Sequence, residues 1–454
     1  MVQVLVSLAV GIFLLILLVV KTKVHPILAI VFSAAFIGVA GGLPIDAVAG
    51  HITAGFGDTL AGIGLVIGFG VMMGQIMEES GAARVMARTF LKVLKNKHEE
   101  LALALTGFFV SIPIFADSGF VILSPLAKAI SKSTKKSLIT LGSALAVGLC
   151  LTHATVPPTP GPLGVAGIYG INVGQFMLFS LAMGIPLVFV VVLTAKYTGK
   201  KYFKIVNEND EIVDADRQKT ENYVPDFGND ENLPSVFMSF APILIPILLI
   251  LMNTVLGAFV SSENVVLVVE IAKFIGSPVL AVGIGLLIAI YGLVPKADKD
   301  TVSAIMEKGI CSSGTILLVT GAGGSLGRII QESGAGQNLA EVLINSPIHV
   351  LILPFIISAA LKIIQGSGTV AMTTAASLTA PILIPMGVNP MFAAYAACIG
   401  SQCGSIFNDS MYWIFNRTLG LTKTKEQMEC WCLPLIIMAV CGMAELLIVN
   451  AIFG

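Results

Sequence analysis

Three titratable side chains stand in sequence that is otherwise almost wholly apolar. Asp117 lies within 101–127, His153 within 137–170 and Asp409 within 390–416. If those stretches enter a bilayer, an unpaired charge at mid-depth costs about 2.5–3.5 kcal/mol on insertion scales. Such an acid is held protonated or paired, which makes Asp117 and Asp409 candidate proton carriers. His153 is a third candidate, because imidazole titrates near neutral pH. The same stretches are broken four times, at Asp117–Gly119, Thr152–Gly164, Gln365–Thr369 and Ser401–Ser410. Each break frees backbone N–H groups, and the N-termini of the resulting half-helices favour anions. The candidate binding residues there are Ser118, Gly119, Thr152, Thr155, Thr159, Gly161, Ser367, Gly368, Thr369 and Asn408, with Gln402 and Ser405 nearby. So many hydroxyl and amide groups suit a small, hydroxylated anion such as a sugar acid. The competing reading for any single hydroxyl is that it satisfies its own kinked backbone. Lys362 precedes the third break and either attracts a carboxylate or snorkels to the interface. Glu79 and Glu332 occupy matching span ends and read as helix caps.

Composition supplies the setting. The chain has 454 residues, 56% hydrophobic and only 12% charged, against roughly 25% charged in a soluble domain. A cytosolic enzyme, a nucleic-acid binder and a disordered chain all need polar surface that is missing here. The expected class is an all-α polytopic membrane protein. Residues 1–20 carry no Lys or Arg, which suits a first span better than a cleaved leader. The seven cysteines read as small apolar filler. Neither C-x-x-C nor H-E-x-x-H occurs, and Ser118 and His153 have no identifiable catalytic partner. No enzyme activity, cofactor or metal is expected.

Lys and Arg favour cytoplasmic loops, and this orders the spans. Residues 2–20, 26–43 and 60–80 read as crossings, with 44–58 an external loop carrying Asp46, His51 and Asp58. Residues 101–127 have basic flanks on both sides and are too short for two crossings. They therefore read as a re-entrant hairpin with its tip near Ala116–Gly119; one tilted span is the alternative. Residues 137–170 contain Val156-Pro157-Pro158-Thr159-Pro160-Gly161-Pro162 and cannot be one continuous helix. Residues 174–195 return inward. Residues 199–234 hold five Lys/Arg and nine Asp/Glu, as expected of a charged cytoplasmic linker. The second half follows the same plan: spans 235–258, 276–294 and 310–330, a hairpin at 347–386, a broken span at 390–416 and a last span at 430–453. That makes ten crossings, two hairpins and both termini outside.

An internal repeat supports the plan. Residues 68–82 and 321–335 are identical at eight of fifteen positions, and Ser118-Gly119 matches Ser367-Gly368. The glycines at 68, 70 and 74 do not fit a dinucleotide loop and read instead as helix-packing positions. The loop charges put the first copy outside-first and the second inside-first. The expected fold is thus two inverted repeats of about five transmembrane helices, 1–198 and 235–454, each with a re-entrant hairpin and a broken helix. Paired broken helices in inverted repeats mark secondary transporters with a midplane site. A channel is the rival from another class, disfavoured by the inverted repeat and the lack of a repeated carbonyl filter.

At these residues the sequence resembles the gluconate permease (gluconate:proton symporter) family, within the wider group of inverted-repeat hairpin carriers. The resemblance runs nearly end to end. Its specific pieces are Asp117-Ser118-Gly119-Phe120-Val121, Thr152-His153 with the proline cluster, Gly366-Ser367-x-Thr369-Val370-Ala371, and Phe407-Asn408-Asp409 leading to Trp413. It implies proton-coupled uptake of gluconate or a related hydroxy acid across the inner membrane, some relatives carrying D-serine, and a homodimer in the lipid bilayer. Two positions depart from gluconate-type members, which carry glutamate where Asp117 stands and histidine where Thr159 stands. A shorter acid, such as glycerate or hydroxybutyrate, therefore stays open.

Overall fold

The structure is a computed structural model that describes residues 2–94, 98–215, 233–259, 267–336, 338, 349–406 and 409–453. Helix α1 (Val2–Lys21) is followed by α2 (Pro26–Gly41), which His25 caps through its imidazole and Gly42 ends in the left-handed region (φ 100°). Helix α3 (Ile45–Glu79) then runs unbroken for 35 residues. This corrects the expected loop at 44–58. Its charges are those of a first helical turn, where Asp46 complements the helix dipole, and of one exposed face. Gly81 (φ 77°) turns the chain into α4 (Ala82–Val93), the basic amphipathic segment.

Next come two helices with a break between them. Helix α5 (Glu99–Val110) ends at Ser111, and α6 (Ala116–Thr134) begins after Phe115. The break is at 111–115, so Asp117, Ser118 and Gly119 lie in the first turn of α6 rather than in the tip itself. Helices α7 (Leu138–Thr155) and α8 (Pro160–Tyr169) are separated at Val156–Thr159 by the proline cluster, and α9 (Val173–Lys201) follows. The charged linker contributes a small antiparallel hairpin, β1 (Lys204–Val206) with β2 (Ile212–Asp214). It docks on the end of α6 through Lys132–Asp210 and Lys135–Glu208, each at 2.8 Å.

In the second half, α10 (Val236–Phe259) leads to α11 (Leu267–Ile275) and α12 (Pro278–Leu293), which meet at a 68° bend. Helix α13 (Lys299–Glu332) is the counterpart of α3, 34 residues long, and the two pack along most of their length. A second helix–break–helix follows: α14 (Ile352–Gln365), Gly366 at φ 78°, then α15 (Gly368–Leu383). Helix α16 (Pro390–Gly400) ends at Ser401 and α17 (Ser410–Thr418) starts after Asp409. The chain closes with the short α18 (Thr424–Gln427), a π-helical turn at Met428–Cys432 and α19 (Leu433–Phe453).

By length and composition, five helices of the described residues can cross a membrane, or six if the α11–α12 pair is one span. Shorter apolar helices, among them Pro26–Gly41 and Gly368–Leu383, supply the rest of the apolar mass. One large core joins both hairpins and both broken helices, and a second joins α1, α2 and α13.

Candidate functional site

The helix starts created by the breaks converge. The first turns of α6 (Ala116–Ser118), α15 (Gly368–Val370) and α17 (Ser410, Met411) line one cavity of about 600 Å³. The C-terminal part of α7 contributes Cys150, His153 and Ala154, and α13 contributes Thr315. Three helix N-termini facing one space give it a positive electrostatic bias. No side chain caps α6. Ser367 caps α15 by accepting from Val370 N at 3.3 Å, and Asp409 caps α17 by accepting from Met411 N at 3.1 Å.

The charged groups are arranged inside this frame. Lys362 Nζ donates to Asp409 Oδ2 at 2.7 Å and to the Gly366 carbonyl at 2.6 Å. Its side chain is 7% exposed and that of Asp409 13%, so the lysine does not snorkel. It is paired within the site and holds the last carbonyl before the second hairpin tip. Ser405 hydrogen-bonds the same Asp409 oxygen, and Ser410 Oγ donates to Asp117 Oδ2 at 2.6 Å. Adjacent residues 409 and 410 thereby tie both acids into one network. His153 packs against Phe115, ring centroids 5.5 Å apart, and its buried Nδ1 has no hydrogen-bond partner among the described residues.

Of the residues singled out from sequence, Asp117, Ser118, His153, Ser367, Gly368, Thr369 and Asp409 line the cavity. Others lie elsewhere. Thr155 donates to the Leu151 carbonyl at 2.7 Å and Thr159 to the Val156 carbonyl, so both satisfy local backbone. Thr152 is fully buried, its hydroxyl has no partner among the described residues, and it does not line the cavity. Gly119 faces Leu149, and Gly161 sits behind the wall, against Met372 and Thr369. Asn408 lies outside the described residues. Glu79 and Glu332 are not caps: they pair with Lys308 at 2.8 Å and Arg328 at 2.9 Å. Sequence reasoning missed Phe115, Thr315, Met372 and Trp431 as lining residues. Only the rarity of tryptophan, two in the chain, marked any of them.

Comparison with known proteins identifies the family and the fold. The profile of the GntP family permease matches residues 3–452. The chain is 47% identical to an uncharacterized permease of Haemophilus influenzae over 455 aligned positions, covering 99% of this chain and 92% of that one. It is 31% identical to the high-affinity gluconate transporter of Escherichia coli over 450 positions, 99% of each chain. Among solved structures it is similar to Neisseria gonorrhoeae MtrF, with TM-score 0.65, 14% identity, and 95% and 96% of the two chains covered. The Alcanivorax borkumensis YdaH transporter aligns with TM-score 0.63 and 14% identity over 89% and 88%. At that identity the two structures speak for the fold alone. The chain is a multi-pass membrane permease and belongs to the GntP family.

Proposed function

We propose that this permease is a proton-coupled symporter that brings gluconate or a related small hydroxy-carboxylate into the cell. The observation that carries the reading is the Lys362–Asp409 pair beneath three converging helix N-termini. With Asp409 ionised, the Lys362 ammonium is already satisfied. A proton on Asp409 releases it, and the substrate carboxylate takes the vacated position beside the Ser367 and Thr369 hydroxyls. Proton and anion then favour each other's binding, and the coupling is reciprocal. Asp117, joined to Asp409 through Ser410, is the second proton-accepting group, and His153 Nδ1 is free to meet a substrate hydroxyl. Hydroxyls of the substrate also reach Ser118 and Gln402. A cavity of about 600 Å³ has room for a six-carbon acid.

In this reading, the two halves, 1–198 and 235–454, lie inverted in the bilayer about the cytoplasmic linker 199–234. Both hairpins are re-entrant, both termini face outward, and the protein works as a homodimer. The similarity to gluconate and L-idonate transporters of Escherichia coli supports a sugar acid. Asp117, shorter than the glutamate of gluconate-type members, supports glycerate or hydroxybutyrate as the second choice.

Purified protein in liposomes, given an inward acid gradient and labelled gluconate, glycerate, hydroxybutyrate or D-serine, tests it. Saturable uptake of a hydroxy acid that collapses with an uncoupler is expected. Asp117→Asn should lose gradient-driven uptake at least tenfold yet retain counterflow exchange. Uptake indifferent to the gradient would remove proton coupling.

A further inference from the structure

One group at the cavity has no part in the scheme above: Trp431, fully buried in the π-helical turn Met428–Cys432 at the start of α19. Its Nε1 donates to Ser405 Oγ at 2.7 Å, and Ser405 in turn hydrogen-bonds Asp409. The next residue, Cys432, reaches the Ser405 carbonyl from its Sγ at 2.8 Å. Two consecutive side chains thus fasten one serine. A π turn interrupts regular helix at a cost and is concentrated at functional sites. Here it aims both residues at the loop that carries Asp409.

We propose that Trp431 is a positioning residue that sets the protonation of Asp409 through Ser405, and with it the affinity for substrate. This rests on Asp409 being the proton site. An indole N–H donated to Ser405 Oγ polarises the serine O–H, which becomes a stronger donor to the carboxylate. The chain therefore favours ionised Asp409 and its pair with Lys362, and so opposes premature anion binding. The other titratable groups facing Asp409 are Lys362 on α14, Asp117 on α6, His153 and Cys150 on α7, and Cys432 on the π turn. None of them bonds to the Ser405 hydroxyl, so Trp431 acts on Asp409 by a separate route.

The test is the pH dependence of the uptake KM in Trp431→Phe, which keeps the aromatic contact with Phe415 (centroids 4.8 Å apart) and removes the N–H. KM about threefold lower on the alkaline side of the wild-type uptake midpoint, and unchanged on its acid side, is expected, the equivalent of half a pH unit. Tighter apparent binding is a result that misfolding does not produce. Ser405→Ala should move KM the same way and further, and Trp431→Phe/Ser405→Ala should match Ser405→Ala alone. A KM that is unchanged or raised equally at all pH values in Trp431→Phe, or additive effects in the double variant, would overturn the proposal. Asp409→Asn separates the two levels of inference. If it keeps the wild-type pH dependence, the proton site itself is wrongly placed. If it abolishes that dependence while Trp431→Phe changes nothing, only the role of Trp431 fails.

Discussion

Lys362 and Asp409 are 47 positions apart in the chain, and nothing in their local sequence announces a pair. What the sequence did expose was the cost of an acid deep in an apolar stretch, which has to be paired or protonated; Lys362 read either as an attractor for a carboxylate or as a snorkelling side chain. The hydroxyls were harder to place. A serine or threonine in a helix can return its hydroxyl to a carbonyl three or four residues back, as Thr155 and Thr159 do. Sequence spacing does not separate that use from one aimed into a cavity. The pair also makes a stability prediction. Removing one partner of a buried ion pair typically costs about 3–5 kcal/mol. With Asp409 at the wall of the cavity rather than sealed in the core, Lys362→Ala should cost about 2–3 kcal/mol in unfolding measurements in detergent. Lys362→Ala/Asp409→Asn should recover most of that loss while remaining unable to bind substrate. A double variant no more stable than Lys362→Ala would show that the charge is not what the lysine compensates.

At the scale of elements, the breaks were readable because their chemistry is local. Prolines at 157, 158, 160 and 162 and the glycines at 366 and 368 act on their own backbone, and the helices end where those residues stand. The true extent of α3 was not readable, because Asp46, His51 and Asp58 resemble loop residues until a neighbour is known. That neighbour is α13: a Cβ added at Gly55 would lie 2.6 Å from the Gly324 carbonyl oxygen. Close approach also fixes the first hairpin. A Cβ at Gly148 on α7 would lie 2.5 Å from the Ala104 carbonyl, and one at Gly107 on α5 would lie 2.5 Å from the Leu145 carbonyl. Small residues facing each other let these backbones touch. Gly148→Leu should therefore force α5 and α7 apart, lower stability by about 1–3 kcal/mol and displace the α6 N-terminus from the cavity, with uptake down tenfold or more. Gly62→Ala, which meets nothing within 4 Å, is the matched control. It should leave both stability and uptake near wild type.

In the whole molecule, α3 and α13 form a pair pinned at two levels, by Lys308–Glu79 at 2.8 Å and by Arg328–Asp58 at 3.4 Å. Against this pair lie the broken pieces that carry the site. A Cβ at Gly164 on α8 would lie 2.8 Å from Thr320 Oγ1 of α13, and one at Gly323 would lie 3.4 Å from Ile168 Cδ1 of α8. Alternating access requires one body to move against another around a fixed site, and the α8–α13 contact is where those bodies would slide. The β1–β2 hairpin, ion-paired to α6, would travel with the site. Two cross-links separate a moving boundary from a rigid one. After replacement of the seven native cysteines, all free, Ile168→Cys/Gly323→Cys joined by a short bifunctional thiol reagent should stop uptake while leaving substrate binding intact. Asp58→Cys/Arg328→Cys, joined within the pinned pair, should leave uptake within about twofold of the unlinked protein. If uptake survives the first cross-link as well as the second, α8 and α13 move as one, and the sliding boundary must lie elsewhere. The packing of α12 on α3 would be the next place to look.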